Sequence, residues 1–215
     1  MGGAALGALG AAGYGLGWFT PKEAPGTRGV NRDAPVLKGR KDLNLLVIMV
    51  DQERSWETLP TSLDLPNHRR IAERGTYFSG LQVTTPLCTP SRSVFWTGQH
   101  VQHTGVQDNT NVPLMGRPLN PAIPTLGHML RDAGYYTAYK GKWHLHELPQ
   151  DEAWEGAADR PDALEAYGYS DYGWGPELID SQAGWKFDGR IAGDAARWLT
   201  GKARNLERPW ALTVS

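Results

Sequence analysis

An almost continuous aliphatic run, from Leu43 to Val50, is the feature that most limits the folds open to this chain. A short run with apolar side chains on both faces is typical of a parallel strand that is buried on both sides in an α/β sheet. The run ends at Asp51. Because ligands bind at the carboxyl ends of strands in open α/β sheets, this acid is a candidate functional residue.

Further strands and helices alternate along the chain. Strands are predicted at residues 77–83, 135–139 and 209–215, from short runs rich in apolar and β-branched residues. Apolar spacing, Pro near helix starts and Gly at helix ends predict helices from Pro66 to Gly75, Pro90 to about Trp96, Thr125 to Ala133 and Phe187 to Lys202. This order predicts an α/β fold with a mostly parallel central sheet flanked by helices.

Three segments carry more specific expectations. Ile71 should face the core from the first predicted helix, and the last helix has one apolar face, formed by Ile191, Ala195, Trp198 and Leu199. Residues 151–187 are acidic and aromatic without a clear period, which predicts a long excursion loop at one end of the sheet. The chain stops inside an apolar strand, which indicates a truncated domain.

The N-terminal region divides into two parts before the domain portion expected at residues 42–215. Residues 1–21 carry no charged side chain and are mostly Gly, Ala and Leu, which favours the remnant of an export signal. A disordered Gly-rich tail is the alternative. Residues 22–41 read as a polar linker. Export predicts a periplasmic or extracellular location, with membrane contact only through the signal; without a signal the protein would be cytoplasmic.

Charge and cysteine content exclude several classes of protein. The net charge is −1 and 21% of the 215 residues are charged, so the chain is neither a nucleic-acid-binding polycation nor disordered by composition. The single cysteine, Cys88, rules out an intramolecular disulfide and a Cys-rich zinc site. A lone cysteine is most often an inert buried residue, so its neighbours must decide its role.

Those neighbours form a specific motif. Residues 86–98 read Pro-Leu-Cys-Thr-Pro-Ser-Arg-Ser-Val-Phe-Trp-Thr-Gly, which resembles the first signature of the sulfatase family at every constrained position. Residues 134–144 are similar to the second signature of that family, with a departure at Lys140, where a small or aliphatic residue is usual. Asp51 follows its strand as the first metal-binding acid does in sulfatases. The resemblance covers about residues 42–215.

The resemblance implies an alkaline-phosphatase-like fold and the hydrolysis of a small-molecule or saccharide sulfate ester. Cys88 would be oxidised by a maturation enzyme to formylglycine, whose hydrated form binds a divalent metal and attacks the sulfur. The family's catalytic positions fall on Cys88, Arg92, Lys142 and His144. Its metal positions fall on Asp51, Gln52 and Cys88, with calcium expected and magnesium as the alternative.

One further feature of the sequence agrees with a sulfatase active site, and two features differ from the pattern of that family. Pro90 suits the first turn of a helix, which would place position 88 at the helix N-terminus, where an anion is favoured. Gln52 stands where many sulfatases have a second acid. After Gly189 the chain has no His and one Asp, Asp194, so the metal site is not completed as in the family, and this chain alone is expected to be inactive.

Other interpretations stay open from the sequence. A phosphonate or phosphate monoester hydrolase of the same fold would act on a similar tetrahedral anion, and a non-catalytic remnant would keep Cys88 unmodified. His100 and His103 have the spacing of a metal-binding pair on a helix, although a structural turn is the simpler interpretation. Lys140 could add positive charge near a bound sulfate or point away from it.

Overall fold

Parallel pairing joins every strand of the sheet in the computed structural model, which describes residues 43–55, 58–146, 161–173, 184 and 187–215. The strands described are β1 (Leu45–Ile48), β2 (Tyr136–Lys140), β3 (Asp171–Gly173) and β4 (Trp210–Val214). They lie in the order β1-β4-β2-β3, and each neighbouring pair is parallel. The predicted α/β class, with a mostly parallel sheet flanked by helices, is therefore confirmed. The described residues all belong to one compact unit, Lys38–Ser215.

The connections between the helices and strands differ widely in length. In chain order they are β1 (Leu45–Ile48), α1 (Pro66–Arg74), α2 (Cys88–Thr97), α3 (Val101–Thr104), α4 (Leu126–Asp132), β2 (Tyr136–Lys140), β3 (Asp171–Gly173), α5 (Asp188–Thr200) and β4 (Trp210–Val214). Two 3-10 turns, Glu165–Tyr167 and Lys202–Asn205, lie beside β3 and after α5. The helices predicted near Pro66, Pro90, Thr125 and Phe187 are all present.

Strand β1 is parallel, as expected, but the prediction that it is buried was wrong. It lies at the edge of the described sheet and pairs with β4 alone. Leu46 is 48% exposed and Ile48 is 60% exposed, because α5 packs over β2 and β4 rather than over β1. Only Val47 and Met49, on the other face of the strand, pack against the core. The aliphatic run identified the strand type correctly and its burial incorrectly.

Two expectations about the segment after β1 also fail. Residues 77–83 form no strand, and Phe78, Leu81 and Val83 are exposed. A strand is stabilised by pairing and packing rather than by its own sequence, and among the described residues no strand lies beside this segment. Helix α1 forms where predicted, but Ile71 is 66% exposed and α1 has no buried residue.

The core occupies both faces of the sheet. On one face, Trp96 of α2 packs against Tyr139 and Trp143, with ring centroids 5.7 and 6.3 Å away. On the other face, Trp198 and Ala195 of α5 pack against Ala138 and Leu212. Side chains alternate between the faces of a strand, so neighbours such as Ala138 and Tyr139 enter different layers. The predicted apolar face of α5 is confirmed, with Ile191, Ala195 and Trp198 buried and Leu199 packed against the core.

Part of the predicted excursion loop belongs to the core. Within residues 161–173, Leu164, Tyr167, Tyr169 and Tyr172 are buried, and Asp171–Gly173 forms the edge strand β3. A turn of 3-10 helix followed by a three-residue strand has no long period, which explains why the sequence pattern failed to reveal it. The rest of 151–187 lies largely outside the described residues, as do the predicted signal at 1–21 and linker at 22–41. Within the described part of the chain, no helix has the length and apolar character that crossing a membrane requires.

The carboxyl ends of β2 and β4 are joined by backbone hydrogen bonds that continue past both strands. The Ser215 N–H donates to the Lys140 carbonyl at 2.9 Å, and the Lys142 N–H donates to the Ser215 carbonyl at 3.0 Å. Gly141 lies between them with a φ of 102°, and a Cβ there would overlap the Ser215 carbonyl oxygen. Glycine is therefore required for Lys142 to leave β2 at this angle.

Gly141→Ala should lower the free energy of unfolding by about 3 kcal/mol or more, because the new methyl group collides with the Ser215 backbone, which two hydrogen bonds hold in place. Gly134→Ala is the matched control, since Gly134 also has a positive φ, 94°, but faces open space. It should cost about 1–2 kcal/mol, from the backbone conformation alone. Urea unfolding of both variants measures the difference, and equal losses would contradict a close contact at Gly141.

Candidate active site

Cys88 is the first residue of helix α2 and is half-buried. The preceding residue, Leu87, has extended backbone, and its side chain caps no N–H group of the helix. The Thr89 N–H instead donates to the Asn109 side-chain oxygen at 3.0 Å. The expected position of residue 88 at a helix N-terminus is confirmed, so the thiol lies where backbone N–H groups and the helix dipole favour negative charge.

Asp51 lies at the centre of the candidate site. It follows β1, and its Oδ1 accepts a hydrogen bond from the Cys88 Sγ at 3.5 Å. Its Oδ2 is 2.8 Å from the Lys142 Nζ and 3.5 Å from the Arg92 Nη2. Cys88, Arg92 and Lys142, which the sequence singled out and which are 37, 41 and 91 positions from Asp51 along the chain, therefore meet at its carboxylate.

Arg92 is buried and has several fixed partners. It is 4% exposed, and its Nη1 donates to the Lys142 carbonyl at 2.7 Å and to the Ser215 Oγ at 2.9 Å. The Tyr139 hydroxyl lies 3.4 Å from the same nitrogen and donates to the Lys142 carbonyl at 2.7 Å. The guanidinium thus connects α2 to the residues that follow β2 and β4. Through its bond to the Lys142 carbonyl, the guanidinium positions the Lys142 backbone.

His144 lies two residues beyond Lys142 and is also buried, with a φ of 57°. Burial lowers the pKa of His144 to about 4, and the positive charges of Lys142 and Arg92 act in the same direction. The imidazole is therefore neutral at pH 7. A neutral imidazole can accept a proton, which is the property that a general base requires.

The pKa values of Asp51 and Cys88 shift in opposite directions. Burial opposes ionisation of Asp51, but the Lys142 hydrogen bond and the charges of Lys142 and Arg92 outweigh it and hold the pKa of this carboxyl below its usual range. Burial raises the pKa of the Cys88 thiol, the Lys142 charge lowers it, and the neighbouring Asp51 charge raises it further. The thiol is consequently protonated at neutral pH and is not an activated nucleophile as a cysteine.

The remaining candidates lie outside this cluster or at its margin. Gln52 is exposed beside Asp51 with a φ of 56°. Lys140 points to the opposite face of the sheet, where its Nζ lies 3.1 Å from Asp171 and 3.5 Å from Asp194. His100 and His103 lie at the start and within the four-residue helix α3. Lys140 therefore adds no charge at Asp51.

Three residues of the site were not singled out as functional from the sequence, although Tyr139 lies within the second motif, residues 134–144. The Tyr139 hydroxyl contacts Arg92 and the Lys142 carbonyl, and the Ser215 hydroxyl contacts Arg92. The Asn109 side chain accepts a hydrogen bond from the Thr89 N–H in the first turn of α2. Tyr139 and Ser215 lie next to the last residues of β2 and β4, and a position at a strand end in a parallel sheet is a clue that could have identified them.

The residues brought together do not by themselves fit a divalent cation. Calcium takes six to eight oxygen ligands, whereas the described residues offer one carboxylate whose Oδ2 already faces two positive groups. No cluster of three or more His, Cys, Asp or Glu side chains suited to a metal occurs in the part of the chain that the structure describes. Any metal at Asp51 requires further oxygen ligands.

Comparison with known proteins identifies the class. The family model described as Sulfatase matches residues 43–215. The chain belongs to the sulfatase family, whose members are sulfate ester hydrolases. Choline-sulfatase of Rhizobium meliloti (strain 1021) is 32% identical over 197 residues, which cover 80% of this chain and 37% of that protein. Arylsulfatase J of Mus musculus is 33% identical over 109 residues, covering 50% of this chain and 18% of its own length. The chain thus spans well under half the length of these relatives.

Solved structures show the same fold. Bacteroides fragilis yidJ superposes with a TM-score of 0.62 at 21% identity, covering 80% of this chain and 43% of that one. A protein solved in complex with its substrate D-glucosamine-2-N,6-O-disulfate gives a TM-score of 0.57 at 22% identity and covers 80% of this chain and 33% of its own. The alkaline-phosphatase-like fold implied by the sequence motifs is therefore confirmed.

The pKa of His144 makes the stability of the protein depend on pH. Between about pH 4 and the ordinary value of 6.5, the unfolded state binds more protons at this position than the folded state does. Stability is therefore lost as the pH falls through this window, by about 2 kcal/mol between pH 7 and pH 5. Urea unfolding at both pH values should show a smaller loss in His144→Gln than in the wild type. Parallel behaviour of the two proteins would contradict a neutral, buried His144.

Arg92→Lys keeps the charge but removes the planar fork that reaches Tyr139, Lys142 and Ser215. The variant should lose about 3 kcal/mol of folding free energy, because buried acceptors lose their donors. Arg131→Lys is the control: Arg131 also makes a two-point contact, at 2.7 and 3.1 Å to Glu165, but at the surface. The control should cost under about 1 kcal/mol, and similar losses in chemical denaturation would refute the special role of Arg92.

Proposed function

We propose that the protein is, or is part of, a sulfuric ester hydrolase that uses a formylglycine derived from Cys88. The observation that carries the proposal is the placement of Cys88 as the first residue of α2, 3.5 Å from Asp51, within a chain of the sulfatase family. The cysteine itself is a poor nucleophile here, because its pKa is raised by burial. Conversion to an aldehyde hydrate replaces the thiol with two hydroxyl groups at the same position.

The chain's own residues take distinct roles in this proposal. Lys142 carries a positive charge that acts on Cys88. Its flexible stem can aim the ammonium at sulfate oxygens. Arg92 holds the backbone of Lys142, as its bond to the Lys142 carbonyl indicates. His144, neutral at pH 7, accepts a proton from the hydrate when the sulfated intermediate collapses to aldehyde and inorganic sulfate. The second hydroxyl of the hydrate thus makes the release of sulfate an internal step.

A divalent metal is also proposed, because members of the sulfatase family generally use one. Asp51 would be a hard oxygen ligand, which suits calcium or magnesium, and calcium is the metal proposed from the resemblance to the family. Gln52 would add a carbonyl oxygen next to it. Since the described residues do not complete the site, the remaining ligands would come from a longer protein, in keeping with the length of the relatives. The 215-residue chain by itself is proposed to be inactive.

The substrate is proposed to be a small-molecule or saccharide sulfate ester. Relatives support this range, since they include a choline-sulfatase and a Δ4,5-hexuronate-2-O-sulfatase from Bacteroides thetaiotaomicron. The maturation enzyme that forms formylglycine is the expected protein partner. Residues 1–21 remain a proposed export signal, which would place the protein in the periplasm or outside the cell.

Co-expression with a formylglycine-generating enzyme, followed by mass spectrometry of the peptide that contains Cys88, tests the nucleophile. The expected result is an aldehyde at position 88 that a hydrazine reagent traps. The Cys88→Ala variant supplies the matched peptide without a reactive group. An unmodified thiol after maturation would refute the assignment and favour a non-catalytic remnant.

Paired aryl sulfate and aryl phosphonate substrates test the reaction, with a full-length parent protein that carries the modified residue. A sulfatase should show the larger kcat/KM on the sulfate, and Cys88→Ala should abolish turnover of both. A larger kcat/KM on the phosphonate would establish the alternative, a phosphonate or phosphate monoester hydrolase of the same fold. Turnover by residues 1–215 alone would overturn the proposed inactivity of this chain.

A further inference from the structure

The charges around Asp51 sum to a positive value. The carboxylate has the Lys142 ammonium at 2.8 Å and the Arg92 guanidinium at 3.5 Å. Among the described residues, neither cation has a second carboxylate as a partner. One negative and two positive groups leave a net charge of +1 where the family places a divalent cation. A divalent cation at Asp51 would therefore be repelled by this net positive charge.

Lys142, rather than Arg92, is the cation that can move. Three oxygen atoms hold the Arg92 Nη1, from Tyr139, Lys142 and Ser215, at distances between 2.7 and 3.4 Å. The Lys142 backbone is equally fixed, since its N–H donates to the Ser215 carbonyl and its carbonyl accepts from Arg92. Among the residues that the structure describes, its ammonium contacts Asp51 alone, at the end of a flexible four-carbon stem.

Burial explains why Lys142 needs this contact. The Lys142 side chain is 10% exposed, and a charge removed from water requires a counter-charge. The Asp51 side chain is 30% exposed, so one side of the carboxylate remains open to solvent and to ions. Lys142 and a metal ion would thus compete for the Asp51 Oδ2. Lys142 has the advantage, because its backbone is fixed next to Asp51.

We propose that Lys142 is an internal counter-cation of Asp51 and that its charge excludes a divalent cation from this carboxylate. The exclusion rests on the contacts that Lys142 and Arg92 make with Asp51 and does not depend on the proposed function.

Calcium titration of the purified 215-residue chain by isothermal calorimetry tests the exclusion. The wild type should show no binding with a Kd below about 1 mM, the weak end of protein calcium sites. Lys142→Met removes the charge but keeps the length of the side chain. It should bind calcium at least about tenfold more tightly than the wild type, since one unit of like charge beside the ion is gone. Adding Asp51→Asn to this variant should abolish the gain.

Lys140→Met is the matched control. Lys140 is also a buried lysine, two residues away, but it pairs with Asp171 on the opposite face of the sheet. Calcium affinity in this variant should equal that of the wild type. The proposal is overturned if the wild type binds calcium below about 1 mM in a manner that Asp51→Asn abolishes. It is also overturned if Lys142→Met and Lys140→Met bind calcium equally.

A second measurement avoids replacing Lys142. Lysines of the wild type can be labelled with ¹³C-methyl groups, which keep the charge, and followed by NMR. Asp51→Asn should shift the Lys142 resonance and leave the Lys140 resonance in place; an unmoved Lys142 resonance would refute the ion pair. Neither readout depends on turnover. Loss of sulfatase activity in a full-length parent would therefore contradict the proposed function without affecting this result.

Discussion

A buried guanidinium, that of Arg92, is the interaction on which the arrangement of this site depends. It is desolvated, so its positive charge must be matched by nearby oxygen atoms. Those atoms belong to Tyr139 at the end of β2, to the carbonyl of Lys142 just beyond it, to Ser215 beyond β4, and to Asp51 beyond β1. One side chain on helix α2 thereby fixes the carboxyl ends of three neighbouring strands relative to Cys88.

The two faces of the sheet separate positive charges that lie close together in the sequence. Lys140 and Lys142 are two residues apart, and a basic loop would be expected to concentrate them. Lys140 instead enters the α5 face, where Asp171 also accepts hydrogen bonds from the Trp198 indole at 2.7 Å and from Lys202 at 2.9 Å. Its departure from the family pattern is compensated locally, so the charge at Asp51 is set by Lys142 and Arg92.

Membership of the sulfatase family and an incomplete set of metal ligands are compatible in this chain. Cys88, which is the proposed nucleophile position, Asp51 and the two basic groups beside it lie within the matched residues 43–215, which correspond to a minor part of the relatives. Asp51 is meanwhile neutralised by the chain itself. The charge of Asp51 raises the pKa of the neighbouring Cys88 thiol, and the charge of Lys142 lowers it.

The sequence by itself determined the family, the parallel α/β class, most helices and the position of Cys88 at a helix N-terminus. These depend on local information: the motif around Cys88, proline and glycine at helix ends, and short apolar runs. Only the tertiary structure decided that β1 is an exposed edge, that residues 77–83 form no strand and that Tyr167 to Tyr172 enter the core. Burial and pairing depend on which neighbours a segment finds, and that information is distant in sequence. For the same reason, no pattern could show that Ser215 contacts Arg92, 123 residues away, or that Lys142 neutralises Asp51.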